Sequence, residues 1–338
     1  MPTMHDVARK AGVSQSTVSR VLNPDNTSAS ISQETVDRVL QAAAELGYRI
    51  DPLARAMKGK STGVIGIIVR RFDSFLPHVI SALSDNLRQA GYTTIEGEAG
   101  NNPDETLRLH TLFETQFCDG LVLAADPKGL NEEQARKIFS NKHVVMTAWG
   151  VPMPGIPLVN TDNRAGARQA MTHLFSLGHE RIALLDVGWS GDHWLRRQVY
   201  EEMMTAAGLP YDDYLIVSDE GMQAGFNATQ KLLSLKHPPT AIFASEDLLA
   251  FGALKAAHMH GLAVPEQLSI VGFDDLPFAE FSEPALTTVR QPVQEIAEII
   301  SRLLVDLISE KTTVNPSNEI ILVEPELIIR ETTAPPAR

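Results

Sequence analysis

Thr3-Met4-His5-Asp6-Val7-Ala8-Arg9-Lys10-Ala11-Gly12-Val13-Ser14-Gln15-Ser16-Thr17-Val18-Ser19-Arg20-Val21-Leu22-Asn23 reads as two short helices joined by a tight glycine turn. Thr3 stands three residues before Asp6, the spacing of an N-terminal capping box, and Val7, Ala8 and Ala11 form an inner stripe. Ser14 is placed to cap the second helix, with Val13 and Val18 at staple positions and Val21 and Leu22 continuing the buried face. A third helix is expected from Ser32, where Val36, Val39, Leu40, Ala43 and Leu46 recur at helical spacing until Gly47 stops it. Three small helices on one apolar centre, the second presenting polar side chains, make a helix-turn-helix and imply DNA. Gln15 and Ser16 face outward at the start of the second helix, with Arg20 about one turn later on the same side. In this motif those residues reach base edges in the major groove, glutamine pairing with adenine and arginine with guanine. Ser14, Thr17, Ser19 and Asn23 suit the phosphate contacts that set register. An ordinary helical bundle with a solvated polar face shares the same spacing.

At 338 residues the chain has room for two or three domains, each with its own core. Its net charge of -13 is unevenly spread. Residues 1–60 carry 8 Lys and Arg against 6 Asp and Glu, so the excess of acid lies wholly in the remainder. Attraction to phosphate is therefore local to the N-terminal piece. The single cysteine, Cys118, excludes an intramolecular disulfide and fits a reducing compartment. With no basic-then-apolar leader and no apolar run of about 18 residues, the expectation is a cytoplasmic protein that does not enter a membrane.

From Gly63 onward short apolar runs alternate with amphipathic helices such as 78–91, 163–178 and 248–261. Runs at 64–69, 120–124, 143–146, 181–185, 240–244 and 268–273 have the continuous hydrophobicity of strands buried on both faces. The fold class expected is α/β, with parallel sheets covered by helices. Ligands in such folds bind beyond the carboxyl ends of strands, here near Ser74, Asp126, Ala148-Trp149, Asp186-Val187-Gly188-Trp189, Ser245-Glu246-Asp247 and Asp274-Asp275. No catalytic set emerges there. Gly188-Trp189-Ser190-Gly191 brings its second glycine one residue too soon for a nucleophile elbow, and no glycine-rich phosphate cradle occurs. His258 and His260 are two apart in a predicted helix and point to different sides, a poor metal pair. A binding module without metal or cofactor is expected, not an enzyme. Trp149, Trp189 and Trp194 all fall in or just after strand-end loops and suggest a stacking wall for a pyranose ring, with core burial the plain alternative for each. Asp162, Arg196, Glu246, Asp274 and Gln291 would then hydrogen-bond the ligand rim.

Between the two parts, Asp51-Pro52-Leu53-Ala54-Arg55-Ala56-Met57-Lys58-Gly59-Lys60 has a cap, proline at the first helical position and glycine near its end. It encodes a helix of about two turns, marginal alone in water.

Asp6-Val7-Ala8, Ala11-Gly12-Val13-Ser14, Thr17-Val18-Ser19-Arg20-Val21-Leu22-Asn23 and Glu45-Leu46-Gly47-Tyr48 resemble the head of the lactose-repressor (LacI) family of bacterial regulators. The similarity runs through Ala54-Arg55 and Gly59-Lys60 into the body and covers nearly the whole chain. It implies a helix-turn-helix domain (1–50), a hinge helix (51–61) that folds on the operator, and an effector-binding and dimerisation body (62–338). In the family an apolar hinge residue wedges into the minor groove, and Met57 holds that position. The body would resemble a periplasmic sugar-binding protein of two subdomains, about 62–160 plus 292–319 and 161–291 plus 320–330. Crossovers would fall near 160–162, 288–292 and 318–322. By the same likeness Arg196, ahead of Val199-Tyr200, grips the effector; Asp274 is the cleft aspartate; Gln291 follows a crossover; and Trp149 stacks on ligand in some members. Two positions depart from the pattern: Glu246 stands where asparagine is frequent, and Ala148 where many members carry aspartate. The resemblance implies a homodimeric repressor of a pseudopalindromic operator, controlled by a small carbohydrate. Arg70 and Arg71 leave open the alternative of a corepressor-dependent regulator sensing a non-sugar or anionic metabolite.

Overall fold

A computed structural model describes residues 2–22, 31–48, 61–70, 75–100, 102–115, 118–124, 143–147, 155–188, 191–310 and 320–337. The chain divides into two units, Met1–Gly63 and Val64–Arg338. In the first, α1 (Met4–Ala11), α2 (Gln15–Leu22) and α3 (Gln33–Leu46) pack around Val7, Ala8, Ala11, Val18, Val39, Ala42 and Ala43. The Thr3–Asp6 capping box forms, and Gly12 ends α1 at φ 66, a left-handed turn that a residue with a Cβ adopts only under strain. Ser14 Oγ accepts the Thr17 amide at 3.1 Å and so caps α2. Ser32 holds the N-cap position of α3 without a side-chain cap bond. Leu40, expected on the inner face, is 48% exposed, and Ala42 is buried beside Val39 and Ala43 instead. Lys10 and Glu45 tie those two helices across 2.6 Å.

Among the described residues the second unit is built on two six-stranded sheets. The elements of its first half are β1 (Val64–Val69), α4 (Leu76–Gln89), β2 (Thr93–Glu98), α5 (Pro103–Thr115), β3 (Gly120–Ala124), β4 (Val144–Met146) and β5 (Leu158–Thr161). There follow α6 (Asn163–Ser176), β6 (Ile182–Asp186), α7 (Gly191–Ala206), β7 (Leu215–Val217), α8 (Met222–Leu233), β8 (Ala241–Ala244), α9 (Asp247–Met259), β9 (Ser269–Asp274) and β10 (Thr287–Arg290). The chain closes with α10 (Val293–Ile308), β11 (Ile320–Val323) and β12 (Glu326–Ile328). The first sheet runs β11-β5-β4-β3-β1-β2 and is parallel throughout. The second runs β12-β10-β9-β8-β6-β7, with β12 alone antiparallel to its neighbour.

Each sheet is covered on both sides, which is why its central strands are unbroken apolar runs. Ile65, Ile67 and Val69 face α4 and α10, while Ile68, Leu121 and Leu123 face α5. In the second lobe Leu184, Phe243 and Phe273 face α6 and α7; Leu185, Ile242 and Ile270 face α8 and α9. The chain passes between sheets three times: between β5 and α6, between β10 and α10, and between β11 and β12. The third passage corrects the sequence expectation. Ile320–Val323 pairs with β5 in the first sheet, so the crossing lies after Val323 and not at 318–322. Among the described residues no helix is long and apolar enough to cross a membrane.

Candidate functional site

The head presents one polar face. Ser14, Gln15, Ser16 and Arg20 are exposed, Thr17 and Ser19 half-buried, and the Ser14 hydroxyl lies 2.7 Å from that of Ser16 and 2.8 Å from that of Thr17. These bonds lock the first turn of α2 and leave Gln15 and Arg20 projecting. Asn23 and Met57 lie outside the described residues.

In the second unit the chain crossings gather a polar cluster from distant parts of the sequence. Arg196, on the inner face of α7, is 3% exposed, and its guanidinium carbon stands 3.6 Å from the centroid of the Phe273 ring. Its Nε donates to Asn163 Oδ1 at 2.8 Å, its Nη1 donates to the Ser245 carbonyl, and Asp274 Oδ1 lies 3.9 Å away. Gln291 bridges the lobes: its Nε2 donates to Asp274 Oδ1 at 2.6 Å, and its Oε1 accepts the Thr161 hydroxyl at 2.6 Å. Three strand ends thus meet at one guanidinium. A buried arginine is tolerable only with such partners, because an unpaired charge in that setting costs several kcal/mol.

Burial lowers the hold of Arg196 on its proton, opposed by Asp274, Asp192, Glu246 and Asp186. Burial pushes the Asp274 carboxyl well above the ordinary carboxylate range; Arg196 opposes this, and Asp247 and Glu246 add to it. His193, next to Arg196 on α7 and 3.0 Å from the Ser245 hydroxyl through Nδ1, is held neutral by burial and by Arg196 and Arg70. The cluster is thus a set of fixed donors and acceptors around one cation, suited to gripping hydroxyls.

Glu246, the departure noted in the sequence, accepts the Gly221 amide at 2.9 Å and so fixes the loop ahead of α8. The adjoining Glu220 reaches Arg70 of the first lobe across 3.6 Å, and Asn160 of β5 donates to Asp192 of α7 at 2.8 Å. A cavity of about 620 Å³ opens beside Asp274 and Gln291, walled by Phe75 just ahead of α4, by His78 of α4 and by Leu276 and Pro277.

Of the residues named from sequence, the structure brings together Arg196, Glu246, Asp274 and Gln291. Asp162 is placed otherwise: its Oδ1 accepts the Ala165 amide at 2.9 Å and caps α6. Trp194 is 52% exposed and lies within α7, two residues from Arg196 and so on the opposite helix face; it forms no wall with the cluster. Ser74, Asp126, Trp149 and Trp189 lie outside the described residues, as does Ala148. Thr161, Asn163, Asp192 and His193 join the cluster unannounced by any sequence motif. Among the described residues no group of three or more His, Cys, Asp and Glu is arranged to hold a metal ion.

Residues 3–51 match the family model for bacterial regulatory proteins of the lacI family, and residues 171–333 that for a periplasmic binding protein-like domain. The HTH-type transcriptional repressor CytR of Escherichia coli (strain K12) is 35% identical over 98% of this chain and 96% of its own length. The crystal structure of the lac repressor dimer bound to operator and the anti-inducer ONPF aligns with a TM-score of 0.86 at 25% identity, covering 98% of this chain and 99% of that one. The complex of the transcriptional regulator CelR with cellobiose aligns with a TM-score of 0.71 at 29% identity, covering 98% and 100%.

Proposed function

Because the chain belongs to the lacI family of bacterial regulatory proteins, we propose that it is a DNA-binding transcriptional repressor whose operator affinity is set by a small carbohydrate held at Arg196, Asp274 and Gln291. One observation carries the reading. The residue that crosses between lobes, Gln291, is hydrogen-bonded to Asp274, which would grip the ligand, and to Thr161 of the other lobe, so occupancy and lobe geometry are linked through it.

The division of labour follows the chain: residues 1–50 read DNA, 51–61 form the hinge, and 62–338 bind effector and pair two copies. Gln15, Ser16 and Arg20 read bases, while Ser14, Thr17, Ser19 and Asn23 contact phosphate and Met57 enters the minor groove. Two heads related by two-fold symmetry match a pseudopalindrome, as in the operator-bound lac repressor dimer. The cellobiose complex of CelR favours a sugar as effector. So does Arg70, whose charge faces Glu220 within the cleft, which disfavours an anionic metabolite at that arginine. The cluster binds and does not transform its ligand, and the protein works in the cytoplasm.

The test is operator capture from fragmented genomic DNA by the full chain at moderate salt, followed by titration of the captured duplex with neutral sugars and with sugar phosphates. A neutral sugar that changes operator affinity through a chain with intact Arg196, and not through Arg196→Lys, supports the reading. Release by sugar phosphates alone would favour the anionic alternative. A chain that ignores every duplex would refute the proposal.

A further inference from the structure

Two consecutive non-glycine residues at the end of β9 have positive φ: Asp274 at 123° and Asp275 at 53°. The second value is the left-handed region that aspartate enters with modest strain, but the first lies outside it and persists only where the surroundings over-determine it. Strand alternation explains what the distortion achieves. Phe273 lies under Arg196, so a regularly extended Asp274 would point to the opposite face of the sheet. The turn at Asp274 brings both neighbours to the same guanidinium.

The restraint lies one residue on. Asp275 Oδ2 accepts Arg290 Nε at 2.7 Å and Oδ1 accepts Arg330 Nη2 at 2.7 Å, with the carboxylate side chain 8% exposed. Arg330 is itself fixed, its Nη1 donating to the Leu286 carbonyl at 2.8 Å and its amide to the Thr287 hydroxyl at 2.9 Å. The Leu276 amide is held by Asp247 Oδ2 at 2.8 Å. Arg290 is the sequence neighbour of Gln291, so one strand end supplies both the restraint on Asp275 and the hydrogen-bond partner of Asp274.

We propose that Asp275 is a positioning residue of the effector site: gripped by Arg290 and Arg330, it holds Asp274 in the turned conformation that aims its carboxylate at Arg196 and Gln291. This rests on reading Asp274 as an effector ligand. It adds that the ligand's aspartate is set by the strand that crosses between lobes, so movement of that crossing reaches the pocket through Asp275.

The experiment uses the full chain without ligand, as the parent and as Asp275→Ala, Arg290→Met and the double variant Arg290→Met/Arg330→Met. In crystal structures of the variants Asp274 is expected to relax to negative φ, and its contact with Gln291 to open from 2.6 Å to beyond about 3.5 Å, where no hydrogen bond remains. Arg290 is 50% exposed, so its replacement leaves the fold intact even where Asp275→Ala does not. In solution the side-chain carboxyl 13C resonance of Asp274 is expected to move in Arg290→Met at an unchanged melting temperature. Retention of the positive φ and of the short contact in every variant would overturn the proposal. Failure of the underlying reading shows separately, as an Asp274→Asn chain that keeps the full response to the metabolite that controls the parent.

Discussion

Arg20 and Arg9 are both exposed arginines of the head, and it is to Arg20 that we assign the reading of a base. Arg9 is held 2.7 Å from Asp6 on its own helix, and Lys10 is held by Glu45. Arg20 projects from α2 beside Gln15 and Ser16. A good bidentate contact to guanine is worth roughly 1–3 kcal/mol of discrimination, so Arg20→Ala is expected to lower the preference for operator over random duplex by about ten- to a hundred-fold. Fluorescence anisotropy on both duplexes at several salt concentrations measures it; an equal loss on the two would make Arg20 a phosphate contact instead. In the body, Asp247 gives a pH signature. Burial pushes its carboxyl up to about 7, opposed by bonds from the Thr288 hydroxyl at 2.6 Å and the Leu276 amide; Asp275 raises it further and Arg330 lowers it. A carboxyl that binds its proton more tightly when folded contributes stability that is full below the unfolded value of about 4 and is lost as pH rises toward 7. Asn at this position keeps an oxygen for the Leu276 amide and donates to Thr288. The urea midpoint of Asp247→Asn is therefore expected to fall less than that of the parent between pH 4.5 and 8. Parallel curves would show that Asp247 is ionised throughout.

The helices α8 and α9 touch backbone to backbone, and that contact depends on Gly225 and Gly252. A Cβ on Gly252 would overlap the Met222 carbonyl and the Phe226 amide, and one on Gly225 would overlap the Leu249 backbone. Backbone has nowhere to rotate, so the helices must separate. In an open helix Gly→Ala stabilises by about 0.5–1 kcal/mol; at Gly252 overpacking is expected to reverse the sign and cost about 1–3 kcal/mol or more. The denaturation midpoint of Gly252→Ala decides, and a rise would mean that the helices part freely. The same elements show what was legible in the sequence. The central strands were readable because burial on both faces makes them continuous apolar runs. The edge strand Thr93-Thr94-Ile95-Glu96-Gly97-Glu98 was not, since one face meets solvent and its only strongly apolar residue is Ile95. Glu246, Asp274 and Gln291 were visible as polar residues at or just past strand ends, whereas Arg196 lies inside α7 and was singled out through the family resemblance. Thr161 was not, because its partner Gln291 stands 130 residues away and nothing local marks the pair. Trp194 misled because a tryptophan just after a loop resembles a wall residue until the helix phase is known.

At the scale of the whole molecule, two units with separate cores must exchange information about two ligands. Among the described residues the buried side chains of the head core are seven alanines and valines, with Met4, Leu22, Leu46 and Tyr48 half-buried against them, whereas the body has four apolar clusters interleaved with two sheets. Small cores bury little surface per residue and are marginal by themselves. Calorimetry of the full chain is therefore expected to show two transitions, the head melting below the body. A sugar at a hundred times its Kd adds about 2.7 kcal/mol to the unit that binds it, so it should move the upper transition and leave the lower one in place, while operator should move the lower one. With both ligands present the two shifts are expected to depend on one another. Any coupling through the hinge is reciprocal: if the sugar weakens operator binding by some factor, operator weakens sugar binding by the same factor. Each shift should then shrink in the presence of the other ligand, by an amount that titration of either site predicts. Additive shifts would show that the metabolite is bound but not sensed. Growth of each shift would make the metabolite a corepressor, reversing the sign of the regulation while leaving the proposed site at Arg196 and Asp274 unchanged.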